Sequence, residues 1–138
     1  MMTHSEETYI DLIDLSDTGA AVGAARHTAA LAGFEETDQF MIATAVSELA
    51  TNIVRYAGGG SVTISIVSDG DRIGIEAVAN DSGPGIEDVE KAMQDNYSSG
   101  NSLGLGLPGV KRLMDEFSIE SVPGQGTKCI ARKWRLQT

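Results

Sequence analysis

The stretch Ser47-Glu48-Leu49-Ala50-Thr51-Asn52-Ile53-Val54-Arg55-Tyr56-Ala57 decides how the rest of the chain is read. Ile42, Val46, Leu49 and Ile53 recur at three- and four-residue steps, which predicts a helix with these side chains on one buried stripe. Glu48 and Asn52 stand one above the other on the flank of that stripe. A carboxylate and an amide at the edge of a core-facing surface need partners, because burying them unpaired costs about 1–3 kcal/mol or more each. On this helix alone, side chains that reach solvent account for both residues. Glycine-rich stretches further on supply the second account.

Working outward, Thr37 is expected to cap this helix, with Asp38 in its first turn, and Gly58-Gly59-Gly60 to end it after Ala57. Before it, Thr8 to Leu15 reads as a strand with apolar residues on both faces. Ser16 or Asp17 is placed to cap a helix running to Ala32, where Gly33 provides a stop. That helix is rich in Ala and carries Gly19 and Gly23, which predicts close packing on its neighbour. His27 lies on it without His, Cys or acid at ligand spacing and reads as an ordinary surface or core histidine.

After the glycines, Val62, Ile64 and Ile66 alternate with Thr63 and Ser65, the pattern of a half-buried strand. Asp69-Gly70 predicts a hairpin to a second strand, Arg72 to Ala79, which ends at Asn80-Asp81. Ile86 to Met93 reads as a short helix and Gln94 to Ser102 as a polar stretch. Leu105 to Phe117 reads as a helix with Val110, Leu113, Met114 and Phe117 on its apolar side. Ser118 to Val122 and Thr127 to Trp134 close the chain as strands. Strands joined by short turns, with helices between them, predict an α+β two-layer sandwich: a mostly antiparallel, mixed sheet with helices on one face. No linker or repeat divides residues 1–138, so one domain is expected.

Composition narrows the function classes. The 138 residues suffice for a sizeable core. Twenty acidic against ten basic residues give a formal charge of −10, which argues against a nucleic-acid partner. Sixteen glycines against three prolines point to close backbone approaches or loops. Cys129, the single cysteine, excludes an intrachain disulfide and an all-cysteine metal site, and reads as a buried strand residue. The polar, acidic start from Met1 to Asp11 lacks signal-peptide features, and no apolar run has spanning length. A soluble cytoplasmic protein with no membrane contact is therefore expected.

Three glycine-bearing segments carry potential chemistry. Asp81-Ser82-Gly83-Pro84-Gly85-Ile86 follows a strand; its glycines permit a tight turn and close approach of a flat ligand, and Asp81 offers an acceptor suited to the exocyclic amine of adenine. A plain strand-to-helix turn explains the same residues. Gly104-Leu105-Gly106-Leu107-Pro108-Gly109 matches GxGxxG, but a polar loop precedes it where a dinucleotide fingerprint needs a strand. What remains is a Gly-rich loop feeding a helix N-terminus, with N–H groups and a dipole that favour phosphate oxygens. Pro108 suits the first turn of that helix. Gly124-Gln125-Gly126-Thr127 alone reads only as a hairpin turn.

Together with Glu48 and Asn52, these segments in this order resemble the N, G1, G2 and G3 boxes of the Bergerat-fold (GHKL) ATPases, the superfamily of gyrase B, histidine kinases and MutL. Within it, SELATNIVRYAG, EDVEKAMQDNYSSG and above all GLPGVKRLMDEFSIESVPGQGT are similar to the RsbT-type switch serine/threonine kinases of the stressosome. The resemblance spans nearly the whole chain and implies an ATP site, with Asn96–Leu103 as a short ATP lid. It also implies phosphorylation of Ser or Thr on STAS-domain scaffold and antagonist proteins. Release of the kinase would then let it bind a downstream effector, commonly a PP2C-type phosphatase.

Carried over residue by residue, Glu48 takes the general-base role, Asn52 ligates Mg²⁺, and Asp81 binds the adenine amine with support from Thr127, directly or through water. Gly83 and Gly85 give the base room. Gly104, Leu105, Gly106 and Leu107 present backbone N–H groups to the phosphates. Arg55, on the same flank as Glu48 and Asn52, has two readings: a phosphate or Glu48 contact, or an exposed ion pair. No Lys or Arg lies among the lid residues, which predicts slow turnover without a partner. Two alternatives share the fold: an anti-sigma-factor kinase that binds a sigma factor directly, and a nucleotide-gated binding module with incidental catalysis. With no phospho-accepting His box in these residues, a complete histidine kinase is not expected.

Overall fold

The computed structural model describes residues 1–86, 93 and 106–136. Their order is β1 (Met2–Leu12), α1 (Ser16–Leu31), α2 (Glu36–Asn52) continued by a π turn (Ile53–Ala57), β2 (Gly60–Asp69), β3 (Arg72–Asp81), α3 (Gly106–Leu113), β4 (Glu116–Val122) and β5 (Gly126–Trp134). The helix expected over 86–93, the lid over 96–103, Gly104 and Leu105 lie wholly or mostly outside the described residues.

The strands form one sheet in the order β1-β2-β3-β5-β4. Every described pairing is antiparallel, so the expected parallel component of a mixed sheet is not found among these strands. One face carries Ile10, Leu12, Val62, Ile64, Ile75, Ala77, Ala79, Cys129 and Ala131 into a core shared with α1 and α2. Period-two alternation is what divides these side chains from their neighbours. From α2, Ile42, Val46, Leu49 and Ala50 complete that core, and Ile53 continues the stripe into the π turn. The helix register read from the sequence is therefore the register of the fold.

Several boundaries differ from the sequence reading, each for a physical reason. β1 begins at Met2 and ends at Leu12, because its pairing with β2 runs from Met2↔Asp69 to Leu12↔Gly60. A bulge between Ser5 and Thr8, with Glu6 at φ 51°, breaks the alternation there, and Ile13 and Leu15 fall in an exposed turn. The N-terminus of α1 is held by Asp14 and Asp17 together. Asp17 accepts from the Ile13 and Asp14 N–H groups at 2.8 and 3.1 Å, and Asp14 accepts from Ser16 N at 2.9 Å. Gly33 stops α1 as expected, at φ 90°, with Gly33 N donating to Ala30 O and Phe34 N to Ala29 O.

Gly19 and Gly23, expected to let this helix pack close to its neighbour, instead face open space: a Cβ at either would have nothing within 4 Å. Ala21, Ala25, Thr28 and Ala29 are the buried residues of α1. Thr37 lies inside α2 and makes no cap; the N-cap residue is Glu35, with Glu36 and Asp38 in the first turn. The hairpin loop is Gly70-Asp71, one residue later than read, with Asp69 paired to Arg72. The largest correction concerns α3, which ends at Leu113 rather than Phe117. Lys133 Nζ donates to the Leu113 carbonyl at 3.0 Å and closes the helix, Asp115 N bonds to Arg132 O, and Phe117 pairs with Ala131 in β4. Phe117 and Ile119 follow a period of two, which the helical reading had absorbed.

Candidate functional site

One cross-strand row organises the site. Leu12, Gly60, Asp81, Thr127 and Ser121 stand opposite one another on β1, β2, β3, β5 and β4, so their side chains share the helix-covered face at one end of the sheet. Asp81 and Thr127 are thereby neighbours, although they come from two separate motifs. Asp81 Oδ1 accepts from Gly83 N at 2.9 Å, which fixes the carboxylate and leaves Oδ2 as an acceptor. Ser121 Oγ lies 2.9 Å from Thr127 Oγ1 and accepts from Ile86 N at 2.7 Å.

The loop after β3 is clamped on both sides. A Cβ at Gly83 would lie 2.7 Å from Ala57 Cβ, and one at Gly85 would lie 2.5 Å from Val122 O. Gly124 N donates to Pro84 O at 2.7 Å, tying the β4–β5 turn to the same loop. At Gly126, φ 123°, a Cβ would meet Asp81 O at 2.1 Å. The chain itself thus fills the space that Gly83 and Gly85 leave, which is a reason for these glycines that the sequence reading did not contain.

Over this row lies the C-terminal end of α2. Ile53 Cγ2 would be 2.9 Å from a Cβ at Gly60, and Ala57 touches Gly83, so the π turn seats the helix end against both β2 and the Asp81 loop. Glu48 and Asn52 are half-buried there. Glu48 Oε2 accepts from Gly106 N at 3.2 Å, which joins α2 to the first residue of α3. Gly106, at φ 70°, is thus the one of the four expected phosphate-facing residues seen bonded to Glu48, while Leu107 packs on the core; Gly104 and Leu105 lie outside the described residues. Arg55 is exposed, and no bond to Glu48 is found among the described residues. A π turn closes i→i+5 bonds, so Arg55 is displaced from the flank that an unbroken α-helix would give it.

The donor set suits an ion that arrives with its own ligands. Asn52 offers one neutral amide oxygen, and the described residues include no group of three or more His, Cys, Asp or Glu that could hold a metal. This fits Mg²⁺ bound largely by phosphate and water. Cys129 is buried beneath the row, and burial, with the Asp81 charge adding, pushes its thiol up to about 12. A neutral, buried thiol takes no part in nucleophilic chemistry.

Ser121 carries no role in the sequence reading, and Gly126 enters it only as part of a turn. The available signal was phase: Phe117, Ile119 and Ser121 alternate on β4, so a hydroxyl falls where a core-facing side chain belongs.

The fold and the site define a histidine kinase-like ATPase. The family model of the histidine kinase-like ATPase domain matches residues 14–133. The mycobacterial sensor histidine kinase MprB has a similar fold, with a TM-score of 0.52 at 18% identity, covering 98% of this chain and 100% of that one. The serine/threonine-protein kinase RsbT of Bacillus subtilis is 46% identical over 130 residues, 94% of this chain and 98% of its own. An anti-sigma F factor of Clostridium acetobutylicum is 39% identical over 105 residues, 72% of this chain and 71% of its own. The chain belongs to the histidine kinase-like ATPase family and, within it, to the RsbT-type serine/threonine kinases. It is an enzyme, a protein serine/threonine kinase.

Proposed function

We propose that this kinase uses ATP and Mg²⁺ to phosphorylate STAS-domain scaffold and antagonist proteins of a stressosome, and that on release it binds and activates a downstream effector such as a PP2C-type phosphatase. The observation that carries the reading is the convergence of four segments: Asp81 beside Thr127, under the end of α2 that holds Asn52 and Glu48, with Glu48 bonded to the N-terminus of α3. In this reading Asp81 Oδ2 accepts from the adenine amine, and Thr127 supports that contact. Leu107, with Gly104 and Leu105, directs N–H groups to the phosphates, where the helix dipole favours negative charge, and the Gly106 N–H joins them on leaving Glu48. Asn52 would hold Mg²⁺, which supplies neutralisation of phosphate charge.

Glu48 takes the proton of the attacking Ser or Thr hydroxyl. Its bond to Gly106 N holds the carboxylate beside the phosphate-facing helix end before substrate arrives. Phosphoryl transfer depends chiefly on positioning and charge neutralisation, so this base contributes less than the phosphate clamps. Arg55, exposed on the π turn, reaches either phosphate or a partner. A cytoplasmic setting follows from such partners.

Incubation with γ-labelled ATP, Mg²⁺ and a STAS-domain protein tests this directly. Label on a Ser or Thr of the STAS protein is the expected result; label on His, or none, overturns it. A second reading, a kinase that also binds a sigma factor, is favoured by the similarity to the anti-sigma F factor. Co-purification with a sigma factor rather than with a phosphatase would select it.

A further inference from the structure

The segment leading into α3 supplies no capping side chain. Leu103-Gly104-Leu105-Gly106 holds no Ser, Thr, Asp or Asn, the residues that close helix N-termini. Pro108 has no N–H, so the first turn presents those of Gly106, Leu107 and Gly109. The Gly106 N–H goes to Glu48 Oε2, 3.2 Å away and 58 residues earlier in the chain. The proposed base is thus also the cap. Its carboxylate stands where the helix end would otherwise receive a phosphate oxygen.

These two acceptors exclude each other, because one N–H has a single proton to give and two anions crowded on it repel. The phosphate that competes is the terminal one. A base for the attacking hydroxyl must lie within reach of the phosphorus under attack, and the Gly106 N–H lies within hydrogen-bond distance of that base. At 3.2 Å the bond is at the long limit of its range, so its exchange gives up little. Val110 and Met114 anchor α3 in the core, which keeps the helix end in place while the acceptor changes.

We propose that Glu48 is an internal competitor of the terminal phosphate of ATP. Without that phosphate the carboxylate occupies the Gly106 N–H; ATP takes over the N–H and frees the carboxylate. This rests on the ATP-site reading above. The base is then released only when there is a phosphoryl group to transfer, and ADP leaves it locked.

The test titrates ADP and a non-hydrolysable imido analogue of ATP, with Mg²⁺, into wild type, Glu48→Gln and Glu48→Ala. Removing the charge weakens the competitor, so Glu48→Gln is expected to bind the ATP analogue about fivefold more tightly and ADP equally well. Glu48→Ala, with no acceptor left, gains at least as much. The Gly106 amide resonance separates exchange from simple charge repulsion. It is expected to differ between wild type and Glu48→Gln without nucleotide and with ADP, and to converge once the ATP analogue is bound. Coincidence before nucleotide is added, or an undiminished difference with the ATP analogue, overturns the inference. Unchanged or weaker binding of the analogue by Glu48→Gln does the same, as does an equal gain for ADP. If Glu48→Gln does not fold, a wild-type Gly106 resonance that is the same with ADP and with the ATP analogue overturns it instead. A wild type that binds neither nucleotide overturns the ATP-site reading itself; one that binds both while Glu48→Gln gains nothing overturns this inference alone.

Discussion

Glu48 on α2 and Gly106 at the start of α3 are joined by a 3.2 Å hydrogen bond from backbone N–H to carboxylate, across 58 residues of chain. A helix N-terminus attracts negative charge, so the carboxylate both closes the helix end and waits beside the place proposed for phosphate. Glu48→Gln keeps an acceptor for Gly106 N and removes the base. Phosphotransfer to a STAS protein should fall about 100-fold while the melting temperature stays nearly unchanged. Single-turnover transfer with γ-labelled ATP checks this, and full retained transfer in Glu48→Ala would sink the general-base role.

Asp81 contributes its charge through a single free oxygen. Asp81→Asn retains the Gly83 contact through its amide oxygen but can present a donor where the adenine amine needs an acceptor. ADP affinity should drop at least about tenfold, measured by titration calorimetry. Binding equal to wild type would remove Asp81 from the nucleotide site.

Two glycine substitutions should move stability in opposite directions. At Gly126, φ is 123° and a Cβ would lie 2.1 Å from Asp81 O, so Gly126→Ala is expected to destabilise by about 1–3 kcal/mol. At Gly19, in α1, nothing lies within 4 Å, so Gly19→Ala should stabilise by about 0.5–1 kcal/mol. Urea midpoints distinguish the two, and destabilisation by Gly19→Ala would point to a close approach at that helix face.

Acid sensitivity has one identifiable source on the open face of the sheet. Trp134 Nε1 donates to Glu116 Oε2 at 2.6 Å and Arg132 bonds to Oε1 at 3.2 Å, and these contacts hold the Glu116 carboxyl below its ordinary range. The folded state therefore binds this proton less readily than the unfolded state. The stabilisation is complete above the ordinary carboxyl range and is lost as pH falls below about 5. Denaturation midpoints of wild type and Glu116→Gln should converge between neutral pH and about pH 3; parallel curves would refute the assignment.

How far the sequence reached can be seen element by element. The stripe Ile42, Val46, Leu49 and Ile53 determined α2, since three- and four-residue recurrence permits one buried face. The hairpin of β2 and β3 and the helix stop at Gly33 were legible for the same local reason: dihedral preference and side-chain period are properties of adjacent residues. Asp81, Thr127, Glu48 and Gly106 were each visible as parts of motifs. Where helical and strand periods overlap, local information failed, and Phe117 went to the wrong element; at the start of β1, the exposed polar residues Thr3 to Glu7 left no alternation to read.

Only the tertiary structure decided what meets what. β5 lies between β3 and β4, and that order alone brings Thr127 beside both Asp81 and Ser121. The π turn carries Arg55 off the flank that an even helix would give it, and the clash positions at Gly83, Gly85 and Gly126 depend on backbones distant in the chain. Sequence spacing governs which face a side chain occupies within its own element. Which element stands opposite is settled by packing and by the pairing of backbone hydrogen bonds across the whole sheet.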